Sequence, residues 1–363
     1  MIRVLHLLGD EPDFQTRRGV DALARDAGAE FHFTTRTLRR SGSGAATAGE
    51  VLRLWRGGGD FDLIHAWGLR ALTAAAFAGG APIVFSPTRF AGPRSVGWLR
   101  AVMGHRDVQV VCPTATQRRV CVERGVPLGR CHLVRPGVDF ARVRRRRDAD
   151  LRRRLGFGDA DYVFLAAGES TRAAAHEDAV WAMSIANFVD ARFKLLLWGR
   201  GPRAAAATRR AESLGAGHAV AAAEPALGRA VEFEELLSAA DAVLVTARGP
   251  IATLPVAACM AAALPVVSTV TYTVAELLED RHTAVMVPRP SARLIARKLL
   301  DLRDDMRTQW SISDMARTEA YEYFSLTRFL EQFRAVYRQV AEGKAVEVPE
   351  RAPGAGRRFH GRG

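Results

Sequence analysis

Short apolar runs separated by longer segments recur along the chain. Such runs are too short for helices and are typical of buried strands in a parallel sheet. The predicted strands are residues 2–8, 30–35, 81–86, 108–112, 162–167, 193–198, 219–223, 241–246, 265–267 and 284–287. Alternation of strands with helical segments predicts an α/β fold with doubly wound parallel sheets.

The stretch 241–288 shows this alternation most clearly. The strand at 241–246 is followed by Gly249-Pro250 and by an alanine-rich helix predicted over 251–262. The free N–H groups at the start of that helix would point at the carboxyl edge of the sheet. They form a site suited to a phosphate. The same pattern is explained equally well if the stretch is only part of the core of an α/β domain and binds no ligand.

Other segments carry helix signals. The sequence predicts a first helix beginning near residues 18–20, a helix over 114–125, a short helix over 274–279 and an amphipathic helix over 293–303. Near the end of the chain, Phe329, Phe333, Val336 and Tyr337 share one helical face.

Several motifs resemble those of the family 4 (group 1) glycosyltransferases. Residues 260–267, MAAALPVV, resemble M-A-x-G-x-P-V-V, and residues 276–288 resemble E-x-I-x-D-G followed by G-x-L-V-P. Residues 60–68, DFDLIHAWG, resemble the family strand F-D-V-V-H-x-H-G, and residues 131–139 resemble x-V-I-P-N-G-V-D. The segment from Gly168 to about His176 occupies the place of G-R-L-x-x-x-K-G, with His176 near the lysine position.

The resemblance extends to about Arg338 and implies the GT-B fold, in which two Rossmann-like domains face each other across a cleft. The expected divisions are an acceptor-side domain over 1–141, a donor domain over 142–325, a helix over 326–341 that crosses back, and a disordered basic tail over 342–363. The arginine run at 142–154 would be the linker.

The resemblance also implies a retaining transfer of a sugar from a nucleotide diphosphate-sugar to a glycan or lipid-linked acceptor, as in cell-envelope polysaccharide biosynthesis. It implies no metal or other cofactor at the donor site. The implied donor-binding residues are Gly168, Arg172, His176, Gly199, Arg248, Ile251, Ala252 and Thr253. The implied acceptor-side residues are Arg18, Gly19, His65, Thr88 and Arg89, although a structural hydrogen-bonding role for His65 is favoured.

The chain departs from the family at polar positions of the site. Pro250 and Ala258 replace two family glutamates, Glu169 replaces an arginine, and Thr88 replaces a histidine. Ala263 replaces a glycine, which costs about 1 kcal/mol if the backbone there is left-handed. These departures keep an alternative open: a catalytically impaired GT-B protein that acts in binding or assembly.

Length and composition indicate the number of domains, the state of the cysteines and the absence of recognisable membrane segments. A chain of 363 residues with 48% hydrophobic residues suggests two domains with sizeable cores. Cys112, Cys121, Cys131 and Cys259 show no C-x-x-C spacing and are expected to be buried free thiols in a reducing cytoplasm. Neither a signal peptide nor a membrane-spanning run is recognisable.

The formal net charge of +13 comes almost entirely from arginine. Basic stretches lack interleaved aromatic residues, so nucleic acid is not an expected partner. Peripheral contact with an anionic membrane at its inner face is the favoured use of the charge. A GC-rich genome also produces arginine-rich, lysine-poor chains, and that explanation stays open.

Overall fold

A computed structural model of the chain describes residues 1–9, 12–26, 28–38, 61–78, 80–88, 92–143 and 146–348. Two six-stranded sheets organise these residues, and every strand pair in them is parallel. The predicted α/β class and its two doubly wound sheets are confirmed. The site candidate Arg89 lies outside the described residues.

The first sheet has the strand order β2-β1-β3-β4-β5-β6. Its strands are β1 (Ile2–Leu8), β2 (Phe31–Thr37), β3 (Leu63–Trp67), β4 (Ile83–Ser86), β5 (Val108–Cys112) and β6 (Cys131–Leu133). The associated helices are α1 (Phe14–Arg25), α2 (Leu69–Phe77), α3 (Pro93–Met103) and α4 (Ala115–Glu123). Both faces of the sheet are covered, which explains why its central strands are continuous apolar runs.

The second sheet has the strand order β12-β11-β10-β7-β8-β9. Its strands are β7 (Tyr162–Ala166), β8 (Phe193–Leu197), β9 (Val220–Ala222), β10 (Ala242–Val245), β11 (Val266–Thr269) and β12 (Val285–Val287). Its helices are α5 (Ala149–Arg154), α6 (His176–Val189), α7 (Ala204–Ser213), α8 (Ala223–Leu227), α9 (Phe233–Leu236), α10 (Leu254–Ala261), α11 (Ala292–Asp304) and α12 (Met306–Phe324).

Three helix predictions need correction. Helix α1 begins at Phe14 instead of near Arg18, because Asp13 caps it by accepting from the N–H of Thr16 at 2.8 Å. Helix α10 begins at Leu254 instead of Ile251. The predicted short helix at 274–279 is a single 3₁₀ turn, Val274–Glu276.

The last helix, α13 (Leu326–Ala341), returns to the first sheet. Its Phe333, Val336 and Tyr337 are buried in a cluster with strand residues such as Val4. Val346, in the segment predicted to be a tail, is buried in the same cluster. Helix α13 therefore ties the end of the chain to its beginning. Among the described helices, none has the length and apolar character needed to cross a bilayer.

Candidate active site between the two sheets

Each sheet has a topological switch point, where the connections that leave two neighbouring strands run to opposite sides of the sheet. In the first sheet this point lies between β1 and β3, and in the second it lies between β7 and β10. Loops at the carboxyl ends of such strand pairs diverge and leave a crevice, which is where α/β proteins bind ligands. The two crevices are in direct contact through helix α1, which follows β1.

The crevice of the first sheet is an open cavity of about 600 Å³. The loops after β1, β3 and β4 line it, and helices α2, α3 and α4 close its sides. Trp67, Thr88 and Arg70 are among the lining residues. The cavity therefore combines an aromatic wall with a hydroxyl and a cation, a surface suited to a polar organic acceptor.

Glycines with positive φ angles shape the loops that form the crevice of the second sheet. Gly168 follows β7 with a φ of 81°, and a side chain there would meet Pro255 of α10 at 3.1 Å. Gly199 and Gly201 follow β8 with φ angles of 92° and 104°. A side chain on Gly201 would lie 2.5 Å from the carbonyl oxygen of Ser170. These close approaches require glycine and hold the two loops against each other.

The start of helix α10 is capped by a residue from the other half of the molecule. Gln15 Oε1 accepts hydrogen bonds from the N–H groups of Thr253 and Leu254, at 2.9 and 3.1 Å. Of the three residues predicted to offer free amides, Ile251 and Ala252 precede the helix and Thr253 is its N-cap. A neutral carboxamide thus occupies the helix start at which the sequence predicted an anion site, and that site stays a prediction.

Phe14, beside Gln15, is inserted into the core of the second sheet. Its ring meets Trp198 edge-on at 5.2 Å and lies 5.6 Å from Phe233. It is buried together with Leu254 and Ala258 of α10. Ala258 stands at a family glutamate position, so an apolar contact replaces a carboxylate there. The first turn of α1 therefore fills space on the donor side of the cleft.

Glu169 and Arg172 follow β7 and differ sharply in environment. Glu169 Oε1 accepts from the N–H of Phe14 at 3.1 Å, and burial, then the nearby Asp13 carboxylate, raise the pKa of Glu169. Arg172 is exposed, and within the described ranges its side chain has no hydrogen bond or ion pair. The acid is thus held by the first half of the molecule, and the cation is available to a ligand.

The other two predicted donor-side polar residues are engaged internally. His176, the first residue of α6, is buried with Nδ1 2.8 Å from Ser170 Oγ, and burial lowers its pKa to about 4. It is therefore neutral near pH 7 and adds no charge against a phosphate. Arg248 makes a two-pronged ion pair with Asp178, with Nη2 2.8 Å from Oδ1. That carboxylate offsets the charge of Arg248.

Some of the predicted acceptor-side residues are likewise engaged in contacts inside the protein, and one lines the cavity. Arg18 donates to Glu232 and Glu234 across the cleft, at 2.6 and 2.7 Å. Gly19 lies so close to α13 that a side chain would meet Phe329 at 3.3 Å. Thr88 lines the cavity of the first sheet. Thr88 therefore has the placement expected of a ligand contact in that cavity.

His65 is fully buried between Tyr337 and Ser86. Its Nδ1 is 2.6 Å from the Tyr337 hydroxyl and its Nε2 is 2.9 Å from Ser86 Oγ. Burial, followed by the nearby His6 ring, lowers the pKa of His65 well below its usual value. Both ring nitrogens are used inside the protein, which favours the structural role. Sequence reasoning missed Gln15 and Phe14, which no motif marks as site residues.

Comparison with protein families supports this geometry. Residues 1–142 match the family described as Glycosyltransferase Family 4, and residues 162–305 match Glycosyl transferases group 1. Together the two matches cover most of the chain. The chain belongs to the group 1 glycosyltransferases. Its family and its GT-B fold support glycosyl transfer as its activity. No curated protein matches the sequence significantly.

Solved GT-B structures share the fold at low sequence identity. Anabaena HepE in complex with UDP and glucose superposes with a TM-score of 0.78 at 15% identity, over 93% of this chain and 100% of that one. Sucrose-phosphate synthase from Thermosynechococcus elongatus gives 0.76 at 16% identity, over 95% and 100%. WaaG, a glycosyltransferase of lipopolysaccharide biosynthesis, gives 0.71 at 15% identity, over 92% and 99%.

Proposed function

We propose that this group 1 glycosyltransferase moves a sugar, with retention of configuration, from a nucleotide diphosphate-sugar to a glycan or lipid-linked acceptor. The donor would bind at the crevice between β7 and β10, and the acceptor in the cavity of the first sheet. The observation that supports this proposal is that the two crevices are adjacent: the first turn of α1, beside the crevice of the first sheet, contacts the start of α10 at the crevice of the second. A donor and an acceptor bound in the two crevices would therefore lie next to each other.

The donor diphosphate has two sources of positive potential in this arrangement. One is the pair of N–H groups of Thr253 and Leu254, which carry the partial positive charge of a helix start. The other is Arg172, whose exposed guanidinium can neutralise charge on the departing diphosphate. HepE, which shares the fold, was crystallised with UDP and with UDP-glucose, in agreement with such a donor.

The acceptor cavity is large enough for a sugar-sized group, at about 600 Å³. Trp67 offers an apolar face, and Thr88 and Arg70 offer polar groups. The net charge of +13 would favour a membrane surface if the acceptor is attached to an anionic lipid.

One specific observation supports the alternative of a catalytically impaired binding or assembly protein. The first turn of α1 fills the donor side of the cleft with Phe14 and Gln15 and engages Glu169. A donor must displace these side chains, and Pro250 and Ala258 cannot replace the hydrogen bonds of the family glutamates. Loss of one such electrostatic contact costs about 2.7–4 kcal/mol in other enzymes.

A thermal shift screen against UDP, GDP, ADP and their sugar conjugates tests the donor. A ligand at 100 times its dissociation constant stabilises by about 2.7 kcal/mol, enough to raise the melting temperature by several degrees. We expect one nucleotide to give this shift and Arg172→Ala to reduce it strongly. Arg209→Ala, which removes an exposed arginine in the middle of α7, is the matched control and should leave the shift unchanged.

Either result of the screen is informative. No shift with any nucleotide would favour the binding or assembly function over transfer. A shift that is equal in wild type and Arg172→Ala would keep a nucleotide donor but remove Arg172 from the diphosphate site. When a donor is known, the anomeric configuration of the product, read by proton NMR, tests retention.

A further inference from the structure

Three cysteines that are nine and ten residues apart in sequence meet in the first half of the molecule. Cys112 is the last residue of β5, Cys131 is the first residue of the neighbouring β6, and Cys121 comes from α4, which connects them. All three pack in the same core cluster and are almost completely buried. The strand–helix–strand unit therefore gathers its thiols at one point.

The distances among these thiols suit a shared metal ion. All three sulfur atoms lie within 4.8 Å of one another, and Cys112 Sγ is 3.8 Å from Cys131 Sγ. Thiolates around zinc lie about 2.3 Å from the metal, so two of them in a tetrahedral site are about 3.8 Å apart. An ion could therefore bind with little movement of this pair and a modest inward shift of Cys121.

The cluster also lies beside a space open to solvent. Cys121 lines the cavity of about 600 Å³, which gives an ion a path from solvent and room for a water as a further ligand.

We propose that Cys112, Cys121 and Cys131 bind one thiophilic metal ion, Zn²⁺ or Cu⁺, beneath the cavity of the first sheet. Both ions have a filled d shell and favour sulfur ligands. Binding forms three metal–sulfur bonds and releases the protons of those thiols that are still protonated, without oxidation or reduction. This site is distinct from the donor crevice, for which no metal is expected, and it does not depend on the proposed donor.

Metal binding can be measured directly on the full chain. Protein purified with chelator and reductant under anaerobic conditions would be titrated with Zn²⁺, with Cu⁺ against a colorimetric chelator, and with Co²⁺ as a spectroscopic substitute for zinc. We expect one ion per chain, a rise of several degrees in melting temperature, and a sulfur-to-cobalt charge-transfer band. The preferred ion distinguishes a zinc site from a copper site.

Variants assign the ligands. Cys112→Ser, Cys121→Ser and Cys131→Ser should each abolish the charge-transfer band and weaken binding at least tenfold. Cys259→Ser is the matched control, because Cys259 is also buried but lies in α10, outside the cluster. If the cluster variants do not fold, X-ray absorption of the wild-type zinc or copper complex counts the sulfur ligands, with three expected.

Three results would overturn the proposal: no binding of either ion by reduced protein, binding that survives all three cluster substitutions, or fewer than three sulfur ligands at the metal. Recovery of a Cys112–Cys131 disulfide from cells, together with an absence of metal binding after reduction, would identify a redox pair instead.

Discussion

At three positions in the part of the molecule built around the second sheet, a residue other than glycine has a left-handed backbone. These residues are Ala175, Ala263 and Arg281, with φ angles of 50°, 54° and 59°. Ala263 and Arg281 stand where the family motifs quoted above have glycine. The left-handed backbone is therefore present at these sites, although the residue that adopts it without steric cost is absent.

Ala263→Gly should stabilise the protein. In the left-handed region the Cβ of alanine is sterically unfavourable, and glycine removes that strain. Glycine also raises the entropy of the unfolded chain, which offsets part of the effect. We therefore expect the free energy of unfolding to rise by up to about 1 kcal/mol. Ala261→Gly is the matched control: it lies in right-handed helix α10 and should lose about 1 kcal/mol. Urea denaturation of both variants measures the difference. Destabilisation by both substitutions would show that the left-handed geometry of Ala263 costs little.

The donor cleft shows what a single sequence can and cannot predict. The left-handed cap at Ala263 was predictable, because a local motif specifies that turn. The contact of Gln15 with Thr253 was not, because it joins residues 238 positions apart and depends on how the two sheets pack. The cysteine cluster was missed for a different reason. The burial of the cysteines was predicted correctly, but their spacing does not by itself reveal that one β-α-β unit brings three thiols together.

At the scale of elements, the start of helix α1 decides how the cleft is filled. Asp13 caps the helix, so that Phe14, Gln15 and Arg18 lie on its first turns. All three contact the second half of the molecule. A helix beginning near Arg18, as the sequence suggested, would have left the amides at Thr253 and Leu254 without this partner.

Gln15→Ala should therefore strengthen nucleotide binding. It frees two amides for a phosphate, and each hydrogen bond that a ligand would otherwise displace has a net value of about 0.5–1.5 kcal/mol. We expect the dissociation constant for UDP or pyrophosphate, measured by calorimetry, to fall about 5- to 150-fold. Gln339→Ala, whose amide contacts the main chain of Glu347, is the control. Weaker binding in Gln15→Ala would make Gln15 a ligand contact instead of a competitor.

At the scale of the whole molecule, polar contacts across the cleft hold the two sheets together. Glu276 accepts from the N–H of Ala115 at 2.7 Å and from that of Thr116, which places a carboxylate at the start of α4. Arg18 pairs with Glu232 and Glu234. Helix α13 adds an apolar connection to the first sheet. The polar contacts depend on closure of the cleft. Helix α13 does not depend on it, because it is joined to the second sheet by the chain itself and packs on the first sheet through apolar side chains.

Arg18→Ala should open the cleft without unfolding either half. The Glu234 side chain is only 12% exposed, so removal of Arg18 leaves a poorly solvated carboxylate beside that of Glu232. The two carboxylates then repel each other in the closed form, and we expect closure to weaken by about 2 kcal/mol.

Small-angle X-ray scattering should show a larger radius of gyration for the variant at low salt, with a smaller difference at high salt, where the repulsion is screened. Arg338→Ala is the matched control, because its pair with Glu30 is about half exposed and joins α13 to the first sheet on one side of the cleft. An unchanged radius in Arg18→Ala would mean that Phe14 and the contacts of Gln15 and Glu276 suffice for closure, and the salt dependence of the wild type would then be flat.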